Sequence, residues 1–236
     1  GITTDFTGPQ GTWAIDGDSS DIDRQNFTDT YSGYWLHFIE QGSGFKTHEY
    51  ALYNNDNSQY VTSWTATLDT SSTITGLSLA ENQTYSLHVR GIDSVDNVGD
   101  VLMSDGVLVD LSAPAVPLNL VGWFSTERIY LEWSQNQEVD FNHYSVYGGT
   151  GMNPTTLSFT TTDSTAEAFM SGYEDGTTYY LRISATDIPG NESVFTTDVV
   201  GIPQQAVVTW VDPDTTNFLN AEDTQLSIHF SQPLLD

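Results

Sequence analysis

The sequence predicts an all-β chain built of tandem β-sandwiches, and three observations carry that prediction. First, one stretch occurs twice: Asn82 to Asn97 matches Gly176 to Asn191, pairing Tyr85 with Tyr179, Asp93 with Asp187 and Asn97 with Asn191 at a constant separation. Tyr50 with Tyr144 and Tyr53 with Tyr147 extend the same register upstream, so two copies of one supersecondary unit are implied. Second, apolar residues alternate in short runs, as in Tyr85, Leu87 and Val89 or Ile129, Leu131 and Trp133, the period of a half-buried strand. Third, many such runs follow one another with turn signals at regular intervals and no convincing amphipathic helix between them, the pattern of a sandwich.

Taken in order, the first strand signal is Thr12 to Ile15, followed by an acidic loop from Asp16 to Asp23. Alternation resumes from Tyr31 to Phe38, where Tyr34, Leu36 and Phe38 share one face and Tyr31, Trp35 and His37 are offset from them; the pattern leaves open which face is core. After a turn at Gln41 to Gly44, His48 to Tyr53 reads as a strand, and Asn54 to Ser58 as a loop. Tyr60 to Leu68, Ser72 to Leu79, Tyr85 to Val89 and Val101 to Val109 complete the first module. Asp110 to Pro117 is the clearest boundary, because Pro114 and Pro117 favour an extended, semi-rigid connector.

The second module repeats the plan in Leu118 to Trp123, Arg128 to Trp133, Tyr144 to Tyr147, Thr156 to Thr161, Ala166 to Met170, Tyr179 to Ala185 and Val194 to Val200. Beyond Pro203 the pattern changes: Ala206 to Val211 and Leu226 to Phe230 read as two strands around Asp212 and Asp214. Two strands alone are marginal in water. The expected organisation is therefore a long-looped module over 1–112, a second over 113–203 and the first strands of a third over 204–236.

Composition narrows the function classes. The 236 residues include 32 acidic and 5 basic side chains, a formal charge of -27, and no cysteine. The bases are too few to release counterions from phosphate, so neither nucleic acid nor an anionic membrane is an expected partner. Without cysteine, each module depends on its apolar core or on oxygen-ligated ions. No apolar run is long enough to span a bilayer and no cationic segment precedes one. The chain reads as an interior piece of something longer, with no membrane insertion expected in this segment.

With the strands placed, the second module resembles a fibronectin type III domain. The matches are Ile129 to Trp133, Tyr144 to Tyr147, Tyr173 ahead of Tyr179, and Tyr179 through Ala185 to the Asp187–Asn191 turn; Tyr173 stands where leucine is usual. The first module is similar to a long-loop variant of the same family found in repetitive bacterial surface proteins, on Asp16-Gly17, Asp21 to Gln25, Trp35, Gly42 to Gly44, Tyr50 to Tyr53, Trp64 and Ser104 to Asp110. The tail resembles the opening of a bacterial immunoglobulin-like domain on Phe230 to Pro233. The resemblance implies tandem immunoglobulin-like sandwiches and no single function.

The candidate metal site is Asp16, Asp18, Asp21 and Asp23, four carboxylates close enough in sequence to converge hard oxygens on Ca²⁺; a solvated acidic turn is the competing reading. Asp93, Asp96 and Asn97, and Asp187 with Asn191, are expected to hydrogen-bond their own turns. Asp105 with Asp110, or Asp212 with Asp214, could stiffen junctions. Trp64, Trp123 and Trp210 are the tryptophans singled out for sugar stacking, with core or boundary packing as the competing reading, and Trp35 and Trp133 are core candidates. His37, His48, His88, His143 and His229 have no metal spacing, and no nucleophile elbow or phosphate loop occurs, so no catalytic residue is expected.

The expectation is a non-enzymatic structural or adhesive segment of an extracellular or cell-surface protein, a stalk, adhesin rod or filament subunit that Ca²⁺ stiffens. The alternative is a carbohydrate- or ligand-binding accessory module of a larger surface enzyme or adhesin. Expected partners are other modules of the same or neighbouring chains, glycans and cell-surface proteins.

Overall fold

The computed structural model describes residues 4–163, 167–204, 208–212 and 227–230. The chain divides into two compact units, Gly1–Ser112 and Ala113–Asp236. Among the described residues every regular element is a strand.

Unit 1 contains β1 (Ala14–Asp16), β2 (Arg24–Gln25), β3 (Thr30–Trp35), β4 (Phe45–Asn54), β5 (Gln59–Tyr60), β6 (Thr65–Thr67), β7 (Ser71–Thr75), β8 (Thr84–Asp93), β9 (Leu102–Met103) and β10 (Val107–Val109). One sheet has the order β1-β3-β7; the other runs β2-β10-β8-β4-β5, with β6 also on β4 and β9 on β8. The ambiguity in Tyr31 to Phe38 resolves by register. Tyr31, Gly33 and Trp35 point inward from β3, which ends there, and Phe38 reaches the core from the loop beyond while Leu36 stays exposed. Trp35, Leu52, Leu87, Val89 and Val107 fill the space between the sheets with no exposure.

Two long strands expected from the sequence are each split in two. Where one strand was expected over Tyr60 to Leu68, the backbone leaves the ladder because the Leu52 amide donates to the Thr62 hydroxyl (2.9 Å) rather than to a carbonyl. Within Val101 to Val109 the Leu87 amide donates to the Ser104 hydroxyl (2.8 Å), and Gly106 takes a φ of 108°, a conformation open to glycine. Side-chain acceptors that stand in for the ladder are invisible to a period-two pattern.

Unit 2 contains β11 (Leu118–Ser125), β12 (Arg128–Ser134), β13 (Phe141–Gly149), β14 (Leu157–Thr161), β15 (Glu167–Ser171), β16 (Tyr179–Asp187) and β17 (Val199–Gly201). Its sheets are β11-β12-β15 and β14-β13-β16-β17. Ile129, Leu131, Tyr144, Val146, Leu181, Ile183 and Ala185 are fully buried, with Trp133 nearly so. The expected strand over Val194 to Val200 shrinks to Val199–Gly201, again because hydroxyls replace carbonyls: Ser193 accepts from the Ala185 amide (3.0 Å) and Thr196 from the Ile183 amide (3.1 Å). Of the tail, β18 (Val208–Asp212) and β19 (Ser227–Phe230) pair antiparallel; Ala166, Ala206, Asp214, Leu226 and the Ser231 to Pro233 segment lie outside the described residues.

The repeated stretch builds the same two devices in both units. The Tyr85 hydroxyl accepts the Ala80 amide (2.9 Å) and the Tyr179 hydroxyl accepts the Glu174 amide (3.2 Å), each five residues upstream. At the other end of the strand the Asp93 carboxylate takes the amides of Val95 (2.9 Å) and Asn97 (2.7 Å) and the Asn97 side chain. Asp187 takes the amides of Gly190 (2.8 Å) and Asn191 (2.6 Å) and the Asn191 side chain. Both turns need one left-handed residue, which is Asp96 (φ 70°) in one unit and Gly190 (φ 97°) in the other.

A buried histidine leads us to expect acid sensitivity in unit 1. His48 has no exposure, stands among Phe45, Phe38, Trp35 and His37, and accepts a long 3.4 Å bond from the Phe38 amide. Burial, and then the neighbouring His37, lower its pKa from 6.5 to about 4. Unfolded His48 therefore takes up a proton near pH 6.5 while folded His48 stays neutral until about pH 4, so the unfolded state binds more protons in that window and stability falls as pH drops through it. We expect the melting temperature of unit 1 to fall between pH 7 and pH 5, and His48→Phe to flatten that slope; a slope unchanged by the substitution refutes the assignment.

Candidate functional site

The acidic segment after β1 is organised around its first residue rather than spread over four. Asp16 is the last residue of β1, where the period-two alternation turns it inward beside Tyr31, and it has no exposure. Its Oδ1 accepts the hydroxyls of Tyr31 and Ser104, the latter at 2.5 Å, and its Oδ2 accepts the Gly106 amide at 2.8 Å. The carboxylate thus ties β1 to β3 and to the break between β9 and β10. Burial raises its pKa and the Ser104, Tyr31 and Gly106 donors oppose the rise. Burial, followed by the Asp16 charge, raises the pKa of Tyr31.

Of the four carboxylates expected to act together, the structure brings two into proximity. Asp21 Oδ1 accepts the Asp16 amide (3.2 Å), and carboxylate oxygens of Asp16, Asp21 and Asp105 lie within 4.8 Å of one another. Asp18 and Asp23 are exposed and outside this group. Asp105 arrives from far along the chain, which no local spacing reveals. Its expected junction partner Asp110 is engaged elsewhere, pairing with Arg24 (2.8 Å) and capping the Ser112 amide (3.1 Å).

A second convergence of Asp5, Glu40 and Asp93 also spans three distant segments and escaped the sequence reading for the same reason. Its oxygens are likewise occupied by backbone donors. Asp5 holds the amides of Thr7 (3.1 Å) and Ser43 (2.7 Å), which lower its pKa to about 2, and Glu40 holds the Gly42 amide (2.6 Å).

The tryptophans singled out for stacking have different surroundings. Trp64 is half-buried: the Arg90 guanidinium lies 4.1 Å from its ring centre and Tyr60 packs 5.4 Å away. Arg90 in turn donates twice to Glu49 Oε2 (2.9 and 2.7 Å). Together with Tyr53 and Tyr60, which pack on the buried His88, this forms a lid over the outer face of the larger sheet. Trp123 is half-buried against Tyr130 on the next strand (5.3 Å), and the side chain of Trp210 lies outside the described residues. Trp13, which the sequence reading left in a strand without a role, is 40% exposed beside Tyr34.

The Asp16 arrangement predicts a sharp contrast between neighbouring acids. Asp16→Ala takes the acceptor from the Ser104 hydroxyl and the Gly106 amide in unit 1, while the Tyr31 hydroxyl keeps the Tyr85 carbonyl (3.0 Å), and is expected to cost about 3 kcal/mol, since each buried orphan costs roughly 1–3 kcal/mol. Asp18→Ala and Asp23→Ala, on the solvent side, are expected to change stability by less than about 0.5 kcal/mol. Urea denaturation of the three variants makes the comparison, and equal losses would refute the latch.

No protein-family model matches the chain. It is 29% identical over 150 residues to chitinase A1 of Niallia circulans, an alignment covering 61% of this chain, and it spans 20% of that protein's length. Among solved structures it is similar to the FN1–FN3 domains of chicken CNTN1, with a TM-score of 0.53, 13% identity and coverage of 86% of this chain and 71% of that one. It also aligns with the fibronectin(III)-like modules of Clostridium thermocellum CbhA, at a TM-score of 0.48 and 14% identity over 81% of this chain and 94% of that one. With the Trp-centred cores, the tyrosine bonds and the paired sheets in each unit, the chain has the all-β fold of tandem fibronectin type III domains.

Proposed function

We propose that the chain is a non-catalytic structural segment of an extracellular protein, a spacer between or beside working domains. The observation that carries this reading is where the reactive side chains go. Asp16, Asp93, Asp187, Ser104, Ser193 and Glu192 spend their oxygens on hydrogen bonds inside their own unit, so the polar groups that could perform chemistry instead hold the fold. The similarity to a segment of a chitinase, of which this chain spans 20%, supports a role as an accessory piece of a larger secreted enzyme or surface protein. A formal charge of -27 keeps such a segment soluble and self-repelling.

Ca²⁺ stiffening is part of the proposal, and it attaches to Asp21 and Asp105 beside the Asp16 latch, in place of the Asp16–Asp23 run expected from sequence. Three carboxylates held within 4.8 Å repel one another, and a divalent ion with oxygen ligands relieves that repulsion. The test is mechanical and thermal. Stretched between its termini, the chain should unfold in one step for each unit. Addition of Ca²⁺ to EDTA-treated protein should raise the melting temperature of unit 1 by a few degrees, as binding to the native state alone requires. Asp21→Asn with Asp105→Asn should abolish the rise. Identical melting curves in Ca²⁺ and EDTA refute the ion; turnover of a glycan or peptide substrate that a single carboxylate substitution abolishes refutes the non-catalytic role.

A further inference from the structure

The outer face of the three-stranded sheet in unit 1 is uncharged at its paired positions, in a strongly acidic chain. Strand register sets Ile15 opposite Tyr34, Ser32 opposite Thr73, and Thr30 opposite Thr75, and these are the positions of β1, β3 and β7 that alternate with the core residues. None of them is charged, in a sequence with 32 acidic residues. The Ser32 and Thr73 hydroxyls lie 3.1 Å apart at the surface. At one end of this hydroxyl ladder Trp13 and Tyr34 pack at 5.4 Å with their planes tilted by 46°. At the other end the ladder runs into a groove of about 550 Å³ bordered by Ser19, Ser20, Gln25 and the half-exposed Phe27, with one carboxylate, Asp18, on its rim.

The aromatic pair by itself is architecture, since cross-strand aromatic contacts stabilise a sheet and Trp123 with Tyr130 makes the same contact in unit 2 at 5.3 Å and 49°. There, however, the exposed Arg128 and Glu132 flank Tyr130 on the same face of β12. A solvent face needs no neutrality to fold, and charged side chains serve unit 2 there. What unit 1 adds is an uncharged strip in which aromatic rings adjoin groups that both donate and accept hydrogen bonds.

We propose that this face of unit 1 binds a neutral polysaccharide. A pyranose ring presents an apolar C–H face to the Trp13 and Tyr34 rings and a rim of hydroxyls to Ser32, Thr73 and the groove. Polyanions are disfavoured by the charge of -27. Ser32 and Thr73 bond each other, and an apolar protein surface would still bury the proton of the accepting hydroxyl without an acceptor. The inference is independent of the spacer role, since a spacer needs no ligand.

Native gels cast with hydroxyethylcellulose, xylan, mannan or, as the anionic control, alginate, together with depletion of the protein by insoluble cellulose and chitin, test it on the whole chain. At least one neutral polysaccharide should retard or deplete the protein. Trp13→Ala and Thr73→Glu should each weaken the effect tenfold or more, while Trp123→Ala leaves it unchanged and melting curves verify folding. Thr73→Glu adds charge to the ladder without touching the aromatic pair, so it decides the case if Trp13→Ala fails to fold. No binding across the panel overturns the proposal, as does binding that both variants retain, or binding to alginate alone. Self-association lost in Trp13→Ala also overturns it, because the occupant is then a second copy of the chain.

Discussion

Everything in this protein rests on the contact between two sheets around a buried tryptophan, Trp35 in one unit and Trp133 in the other. With no cysteine in the sequence, no covalent tie holds the sheets together, and burial of apolar surface must do it at roughly 25 cal/mol per Å². Truncating a buried tryptophan of this kind costs about 3–5 kcal/mol, a large fraction of the stability of an ordinary domain. The strand registers, the tyrosine bonds and the carboxylate turns all serve to keep the inward faces of the two sheets aligned on that centre.

Polar groups reinforce this core from its margins. Asp16 joins three segments of unit 1 through one carboxylate, and its burial is compensated by the three donors it collects. The scarce bases are spent in the same way. Arg24 pairs with Asp110, Lys46 with Asp96, Arg90 with Glu49 under Trp64, and Arg182 lies on Phe195 while donating to the Pro154 carbonyl. With those cations engaged inside their own units, the outside is dominated by carboxylates, and an uncharged strip such as that of Ser32, Tyr34 and Thr73 stands apart electrostatically.

The two units reuse one plan with different local solutions. Where the repeat needs a left-handed residue before the tyrosine strand, one unit has Asn82 (φ 59°) and the other Gly176 (φ 83°). On the outer face of the larger sheet, Tyr53 covers His88 in unit 1, while Tyr147 and Arg182 both pack on Phe195 in unit 2. The constant features are those that the core and turn geometry require. The variable ones lie on faces and loops, where a spacer and a binding surface would differ.

The sequence by itself determined the class of fold, the repeat and the roles of Tyr85, Tyr179, Asp93 and Asp187, because strand alternation and turn chemistry act over a few residues and are written locally. It left open which face of Tyr31 to Phe38 is buried, and it could not see that the strands over Tyr60 to Leu68 and Val101 to Val109 break where side-chain hydroxyls replace carbonyls. The candidate site was legible in half: Asp16 and Asp21 are neighbours in space, but their third member, Asp105, and the group of Asp5, Glu40 and Asp93 are assembled by sheet pairing between distant segments. Tertiary structure alone decided that Asp16 faces the core while Asp18 and Asp23 face water, since one residue's shift in a strand end moves a carboxylate from solvent to the interior.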